Sequence, residues 1–321
     1  MEDSLLAIEN LSVALPSTRG RFVRIIENLS LRVAPREILG IVGESGSGKS
    51  MTALAIMGLI DAPGARVTGS VRYKGRELLG LRPRELRHLR GREIAMIFQD
   101  PMAALTPVLT IGWQIDEQIR AHESLTRTGA RARTLDLLDA MGVADPKRTA
   151  ERYPHQLSGG LRQRAMIAMA LSCNPSLLIA DEPTTALDVT VQAQILELLR
   201  SLTRDFGSAI LLITHDMGVV AETCDRVLVL YSGNLAERGP TEALFARPGH
   251  PYTAALLASI PPLRGDRLAR LPQIAGQPPN PAERPEGCPF QPRCAHAYAA
   301  CEARPALVTR GDQDIACVLA T

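Results

Sequence analysis

The fold is decided by one stretch of the sequence, Gly43-Glu44-Ser45-Gly46-Ser47-Gly48-Lys49-Ser50. An apolar run at 38–42 leads into it, and the residues from Met51 onward have helical character. Strand, glycine loop and helix in this order are the context in which this pattern predicts a phosphate-binding P-loop. Glycines let successive backbone N–H groups point at one anion, and the following helix adds its positive end. Lys49 is predicted to reach the β- and γ-phosphates and Ser50 to ligate Mg²⁺; the alternative is an ordinary Gly/Ser-rich turn.

Length and composition limit the classes of protein to which this chain can belong. The 321 residues exceed one typical domain, so we expect one large and one small domain. At 45% hydrophobic residues the chain can bury a core, and no apolar stretch approaches the roughly 18 residues of a membrane span. The net charge of +2 gives no electrostatic argument for nucleic acid. The default expectation is a soluble cytoplasmic protein.

A second stretch carries two acids, Asp181 and Glu182, directly after the apolar run 177–180. A similar run at 209–213 follows a helical segment, so the pattern predicts two buried parallel strands in a βαβ arrangement. Ligands of open α/β sheets bind at the carboxyl edge, where both acids would lie. Asp181 is predicted to hold the Mg²⁺ and Glu182 to orient or deprotonate the attacking water. The alternative for an acid in this position is a helix cap.

A third stretch, Leu157-Ser158-Gly159-Gly160-Leu161-Arg162-Gln163-Arg164, runs into an apolar helix. Ser158 is a good N-cap, and the two glycines expose backbone N–H groups at a helix N-terminus. It therefore predicts a second anion site, with a simple capped helix as the alternative.

Residues 1–245 resemble the nucleotide-binding subunit of ATP-binding-cassette (ABC) ATPases, whose signature is similar to this third stretch. The resemblance implies an α/β fold, in which a P-loop ABC ATPase core carries an antiparallel β subdomain and an α-helical subdomain. It also implies that Gln99 touches Mg²⁺ and faces a membrane partner, that 185–188 crosses a dimer interface, and that His215 contacts the γ-phosphate.

The resemblance further implies a head-to-tail pair of subunits, in which each nucleotide lies between one P-loop and the partner's signature. Closure then depends on ATP, and hydrolysis releases it. The catalytic residues implied are Glu182 and His215. The nucleotide-binding residues implied are Gly43, Glu44, Ser45, Gly46, Ser47, Gly48, Lys49, Ser50, Met51, Gln99, Asp181, Ser158, Gly159 and Gly160, of which Ser50, Gln99 and Asp181 hold Mg²⁺.

Two positions depart from the family's pattern. Leu15 stands where the family usually has an aromatic residue that stacks on adenine, and Phe22 is a candidate substitute. Base–aromatic stacking is worth about 1–3 kcal/mol, so its loss would weaken adenine binding. Arg36 stands where glycine is common, so we expect either backbone strain or a different turn there.

The C-terminal part, 246–321, is the expected second domain. It indicates which branch of the ABC family the chain resembles. The stretches 250–261 and 287–294 resemble the C-terminal extension of ATPases from oligopeptide/dipeptide importers, in particular their D-type subunit.

Four cysteines of this extension, Cys288, Cys294, Cys301 and Cys317, follow the spacing C-x₅-C-x₆-C-x₁₅-C. Disulfides are disfavoured in the cytoplasm, and zinc usually requires closer pairs. Irregularly spaced thiolates suit a [4Fe–4S] cluster, which the resemblance implies here; zinc and free thiols are the alternatives. We expect a structural role, because a small Pro-rich extension has little core of its own.

The expected function is ATP hydrolysis that energises import of di- and oligopeptides through a membrane ABC transporter. Alternatives are the same role for nickel, glutathione or another peptide-like solute, and a non-transport ABC ATPase. Expected partners are a paralogous ATPase subunit in a heterodimer, two membrane permease subunits and an extracytoplasmic solute-binding protein, with no nucleic acid. The expected location is peripheral, at the cytoplasmic face of the cell membrane.

Overall fold

The computed structural model describes residues 4–17, 20–184, 188–260 and 273–320. Contacts divide the chain into two compact units. The helical unit comprises the residues up to Leu5, Ala34–Glu37 and Gly80–Leu212. The P-loop unit comprises Leu6–Val33, Ile38–Leu79 and Ile213–Thr321. The domain boundary expected near residue 245 is a different division and stays a prediction.

The strands of the described residues are β1 (Leu6–Pro16), β2 (Phe22–Val33), β3 (Ile38–Val42), β4 (Arg66–Tyr73), β5 (Arg76–Glu77), β6 (Ile94–Ile97), β7 (Leu177–Asp181), β8 (Ala209–Ile213), β9 (Arg226–Tyr231), β10 (Asn234–Pro240), β11 (Val308–Arg310) and β12 (Gln313–Ile315).

The α-helices of the described residues are α1 (Lys49–Met57), α2 (Pro83–Leu89), α3 (Pro101–Ala104), α4 (Ile111–His122), α5 (Arg127–Ala140), α6 (Pro146–Ala150), α7 (Gly159–Leu171), α8 (Val189–Phe206), α9 (Met217–Thr223), α10 (Thr241–Ala246) and α11 (Pro251–Ala258).

The P-loop unit contains an antiparallel sheet in the order β2-β1-β4-β5. β1 lies in its middle: Leu6 pairs with Val33 on one side and with Tyr73 on the other. Its residues Leu6, Ala7 and Ile8 are all buried, and burial alternates only from Leu11 to Ala14. This sheet is the antiparallel β subdomain that the sequence predicted.

A second set of strands in this unit lies in the order β11-β12-β10-β9-β3. β3 is buried at every position and runs parallel to β9, with Ile41 opposite Leu228. β10 pairs antiparallel with β9 and with β12, where Glu237 lies opposite Ile315. The last strands of the chain therefore belong to the same set of strands as β3, which precedes the P-loop.

The helical unit holds β8-β7-β6 in that order, and β6 runs parallel to β7. The predicted βαβ arrangement is confirmed, because α8 connects the buried strands β7 and β8. Asp188 caps α8 by accepting from the N–H of Val191 at 3.0 Å, and Gly207 ends the helix at φ 74°. The buried residues of α8 recur at helical spacing and form one stripe: Ile195, Leu196, Leu199 and Leu202.

Arg36 has φ 62°, in the left-handed region that glycine favours. The turn is therefore the one in which glycine is common, and Arg36 adopts it at a cost in backbone strain.

Among the described residues, no helix is both long and apolar enough to cross a membrane.

Glu237 on β10 is a fully buried carboxylate that organises the start of the C-terminal part. It accepts from the N–H groups of Gly249 at 2.8 Å and His250 at 2.9 Å, and from Nε2 of Gln313 at 3.3 Å. Its removal leaves these donors without their acceptor inside the protein.

We expect Glu237→Ala to lower the free energy of unfolding by about 3 kcal/mol, because each buried donor left unsatisfied costs about 1–3 kcal/mol. Chemical denaturation of the purified chain measures it. The control is Glu286→Ala at an exposed position, expected to change stability by less than about 0.5 kcal/mol. Equal stability of both variants would contradict the role of Glu237.

Candidate functional site

The loop after β3 is shaped by glycines at positive φ. Gly43, Gly46 and Gly48 have φ of 150°, 78° and 99°. A Cβ on Gly43 would lie 2.1 Å from the carbonyl oxygen of Leu230, so no larger residue fits there. The chain thus turns tightly after β3, and tight turns at glycine are typical of anion-binding loops.

Lys49 opens α1 and folds back over this loop. Its Nζ donates to the carbonyl oxygens of Gly43 at 2.7 Å and Glu44 at 3.1 Å, and the residue is only 6% exposed. The Oγ of Ser47 is buried and has no hydrogen-bond partner among the described residues. A buried hydroxyl without a partner and an ammonium group at the start of a helix fit a phosphate, so the residues present suit a nucleotide.

The carboxyl end of β7 carries the two predicted acids in the helical unit. Asp181 is buried at 3% exposure, whereas Glu182 is half-buried. Glu182 has φ 48°, which is unusual for a non-glycine residue and often marks a functional position. Its Oε2 accepts from Nε2 of the predicted Gln99 at 3.0 Å. The structure therefore brings Gln99 and Glu182 together, while their roles toward magnesium and water stay predictions.

The signature stretch begins α7 in the same unit. Ser158 caps the helix by accepting from the N–H of Leu161 at 3.4 Å, and Ser158 and Gly159 are exposed. Farther along this helix the buried Gln163 donates to the carbonyl oxygen of Pro183 at 2.7 Å. This bond holds the residue after Glu182, a role that the sequence analysis missed. A glutamine on an apolar helix would have been the available signal.

His215 follows β8 and is exposed in the P-loop unit. The neighbouring Asp216 caps α9 by accepting from Gly218 at 2.8 Å and Val219 at 3.3 Å. The chain direction after His215 is thus fixed while its imidazole faces outward. Thr185, Ala186 and Leu187, predicted to cross a dimer interface, lie outside the described residues.

Phe22 is 40% exposed at the start of β2. The guanidinium of Arg66 lies 3.6 Å from the centre of its ring, a cation–π contact. Leu15 pairs with Val23 in the same hairpin. That Phe22 stacks on adenine in place of a residue at position 15 stays a prediction. Arg66 lies over one face of the Phe22 ring.

The four clustered cysteines line one small cavity in the P-loop unit together with His250 and His296. Burial raises the pKa of the Cys288 and Cys317 thiols. Burial also lowers the pKa of His250 to about 4, so its imidazole is neutral. The described residues contain no group of three or more His, Cys, Asp or Glu arranged to hold one metal ion. The iron–sulfur prediction is therefore not confirmed, although the thiols do converge.

Two parts of the chain match known families. Residues 26–185 match the family described as ABC transporter, and residues 236–301 match the one described as Oligopeptide/dipeptide transporter, C-terminal region. The chain is 48% identical over 303 residues to the oligopeptide transport ATP-binding protein OppD of Salmonella typhimurium, covering 94% of this chain and 90% of that protein. The chain belongs to the ABC transporter family.

A second ABC relative is the dipeptide transport ATP-binding protein DppD of Haemophilus influenzae. It is 46% identical over 315 residues, which cover 98% of this chain and 95% of the relative. These relatives confirm the predicted resemblance to D-type subunits.

The fold agrees with solved structures of ABC proteins. The dimeric post-hydrolysis state of the ATP-binding cassette MJ0796, bound to ADP and Pi, matches with a TM-score of 0.67 and 28% identity, covering 74% of this chain and 98% of that one. The predicted ABC ATPase fold is confirmed, and the chain is an ABC-type ATPase.

Proposed function

We propose that this chain is the subunit that binds and hydrolyses ATP to energise import of di- and oligopeptides through a membrane ABC transporter. The observation that carries the proposal is the match of 236–301 to the oligopeptide/dipeptide transporter C-terminal region, in the same chain as the ABC match. The names of the relatives, which are transport ATP-binding proteins for oligopeptides and dipeptides, support it.

In the P-loop unit, residues 43–51 bind the β- and γ-phosphates, with Lys49 beside them. The N–H groups of Glu44 and Ser47 are not among the donors, because they bond to Tyr252 and to the carbonyl oxygen of Glu44. The Nζ of Lys49 donates to the carbonyl oxygens of Gly43 and Glu44, so its ammonium group is held against the loop that would bind the phosphates. His215 contacts the γ-phosphate. Ser50, Gln99 and Asp181 would hold Mg²⁺, which supplies positive charge against the charge that develops on the transferred phosphoryl group.

In the helical unit, Glu182 orients the attacking water and takes its proton. The hydrogen bond from Gln99 to Oε2 holds the carboxylate of Glu182 in place, and a held carboxylate can accept a proton from water. The backbone strain at Glu182 and the bond from Gln163 to Pro183 keep this carboxylate in one place.

The proposed contacts with other subunits use surfaces that are exposed in the single chain. Ser158, Gly159 and Gly160 donate to the nucleotide of a paralogous ATPase subunit, which would form the other half of a heterodimer. The segment 99–118 meets two permease subunits, and its Trp113 is 47% exposed, as an interface anchor would be before docking. A solute-binding protein outside the membrane delivers the cargo, and this chain lies at the cytoplasmic face.

We expect Glu182→Gln to bind MgATP as the wild type does and to lose at least about 100-fold in kcat, because a general base contributes about 10²–10⁴-fold. ATP titration and steady-state phosphate release measure the two quantities. Glu151→Gln, an exposed control, should keep both. Wild-type turnover in Glu182→Gln would contradict the assignment of the base.

The cargo is tested by uptake of labelled di- and oligopeptides into vesicles that contain the complete complex. Peptide uptake should require ATP and should vanish with Lys49→Ala, which removes the phosphate-binding ammonium group. Uptake of nickel or glutathione instead, with ATPase activity intact, would keep the ATPase and overturn the peptide assignment.

We further propose that Cys288, Cys294, Cys301 and Cys317 hold a [4Fe–4S] cluster with a structural role. Four thiols on one cavity are the donor set of such a cluster. A cluster spreads its ligands over four irons, so thiols that cannot share a single ion can still bind one. When bound, it would supply covalent cross-links to an extension that has little core of its own.

The purified chain, prepared without oxygen, should carry about four iron and four sulfide ions. Cys301→Ser should lose them and unfold the extension more easily, whereas Cys173→Ser, a buried cysteine of the helical unit, should keep them. Zinc in the wild type, or a metal-free chain, would contradict the cluster.

A further inference from the structure

Glu44, the second residue of the P-loop, uses each of its polar groups within the P-loop unit. Its N–H donates to the Oη of Tyr252 at 2.9 Å. Its carbonyl oxygen accepts from Nζ of Lys49 at 3.1 Å. Its carboxylate binds the guanidinium of Arg293, from Nη1 to Oε2 at 2.6 Å and from Nη2 to Oε1 at 3.0 Å. The loop is thus held from the side of the C-terminal part of the chain.

Arg293 is built to act at this position. Its side chain is only 4% exposed, and the bond to Glu44 is bidentate, the geometry in which arginine and carboxylate interact most strongly. Its Nε donates to the carbonyl oxygen of Ala275 at 2.8 Å, and Nη1 donates to the Oη of Tyr231 at 3.2 Å. The hydrogen bonds with Glu44 raise the pKa of Arg293, so the group is charged at every working pH.

An aromatic cluster fixes both contacts to Glu44. The rings of Tyr231, Tyr252 and Phe290 lie edge-on or tilted, with centroids 4.6, 5.1 and 5.3 Å apart. Tyr252 and Phe290 are almost fully buried. Because buried rings have few alternative positions, the hydroxyl of Tyr252 and the turn that follows Phe290 are held rigidly.

Arg293 lies within the segment that carries two of the clustered cysteines. The N–H of Gln291 donates to the carbonyl oxygen of Cys288 at 3.0 Å, and that of Cys294 donates to Gln291 at 3.2 Å. The turn from Cys288 to Cys294 therefore presents Arg293 to the P-loop, while its two ends line the cysteine cavity.

We propose that Arg293 is a positioning residue for the nucleotide that acts through Glu44: its guanidinium cancels the negative charge that this carboxylate brings to the P-loop. The proposal rests on the proposed ATP site. A carboxylate in a phosphate-binding loop repels the phosphates, and a bound guanidinium removes that repulsion.

The charge argument distinguishes this role from general stabilisation. If Arg293 is lost, Glu44 keeps its charge beside the nucleotide, so affinity falls. If Glu44 loses its charge as well, the repulsion ends and affinity returns. A residue that only stabilises the fold would not be rescued in this way.

The test is titration of the purified full chain with MgADP by calorimetry. Arg293→Met should weaken binding about tenfold, the equivalent of one strong charge-assisted contact. Arg293→Lys should weaken it about threefold, because it keeps the charge without the bidentate geometry. Arg293→Met combined with Glu44→Gln should bind within about threefold of the wild type. In ATP hydrolysis, KM should rise with Arg293→Met while kcat changes less.

The control is Arg238→Met, which breaks another link to the C-terminal part. Arg238 pairs with Asp314 at 2.8 Å and donates to the carbonyl oxygen of Ser30 at 2.9 Å. It should lose stability and keep its MgADP affinity within about twofold. Equal affinity losses in Arg238→Met and Arg293→Met would overturn the inference.

Two further outcomes would decide whether Arg293 acts on the nucleotide. Wild-type MgADP affinity in Arg293→Met, or a double variant as weak as Arg293→Met, would overturn the inference while leaving the ATP site in place. A wild-type chain that binds no MgADP would overturn the proposed function itself, and this inference with it.

Discussion

The close approach of the P-loop to strand β9 is the constraint on which the other features of its unit depend. No side chain fits at Gly43, because a Cβ would lie 2.1 Å from the carbonyl oxygen of Leu230. With the backbone set against the end of β9, the N–H of Gly233 can donate to the carbonyl oxygen of Ser47 at 2.9 Å. Lys49 then reaches back to the loop from the first turn of its helix. A larger residue at position 43 would displace all of these contacts together.

In the helical unit, a non-glycine residue at positive φ, Glu182, makes a sharp turn of the kind that glycines make in the P-loop. The positive φ of Glu182 turns the chain sharply after β7, so adjacent carboxylates enter different surroundings. Asp181 is buried at the strand end, whereas Glu182 is partly open and bonded to Gln99. Two acids with different environments can serve different roles, one as a ligand and one as a base. The cost of the strained residue, about 1–3 kcal/mol, is offset by the packing around it.

Local patterns were enough to predict most strands and helices that position the site. The apolar runs of β3, β7 and β8 and the glycine spacing of 43–50 are all local, and each element is found where expected. Contacts between distant residues were not predictable in this way. Arg293 and Glu44 are 249 positions apart, and no spacing rule connects them. The positive φ of Glu182 was equally hidden, since nothing in its side chain favours that conformation.

The anchoring of Glu44 by Tyr252 and Arg293 bears on what counts as a module in this chain. Every sequence motif of the cassette ends before residue 245, so a fragment cut there would look complete by inspection. It would nevertheless lack both side chains that hold its phosphate loop. The cassette recognised from its motifs is therefore shorter than the stretch of chain that holds its phosphate loop. A transfer of residues 1–245 into another transporter would leave Tyr252 and Arg293 behind.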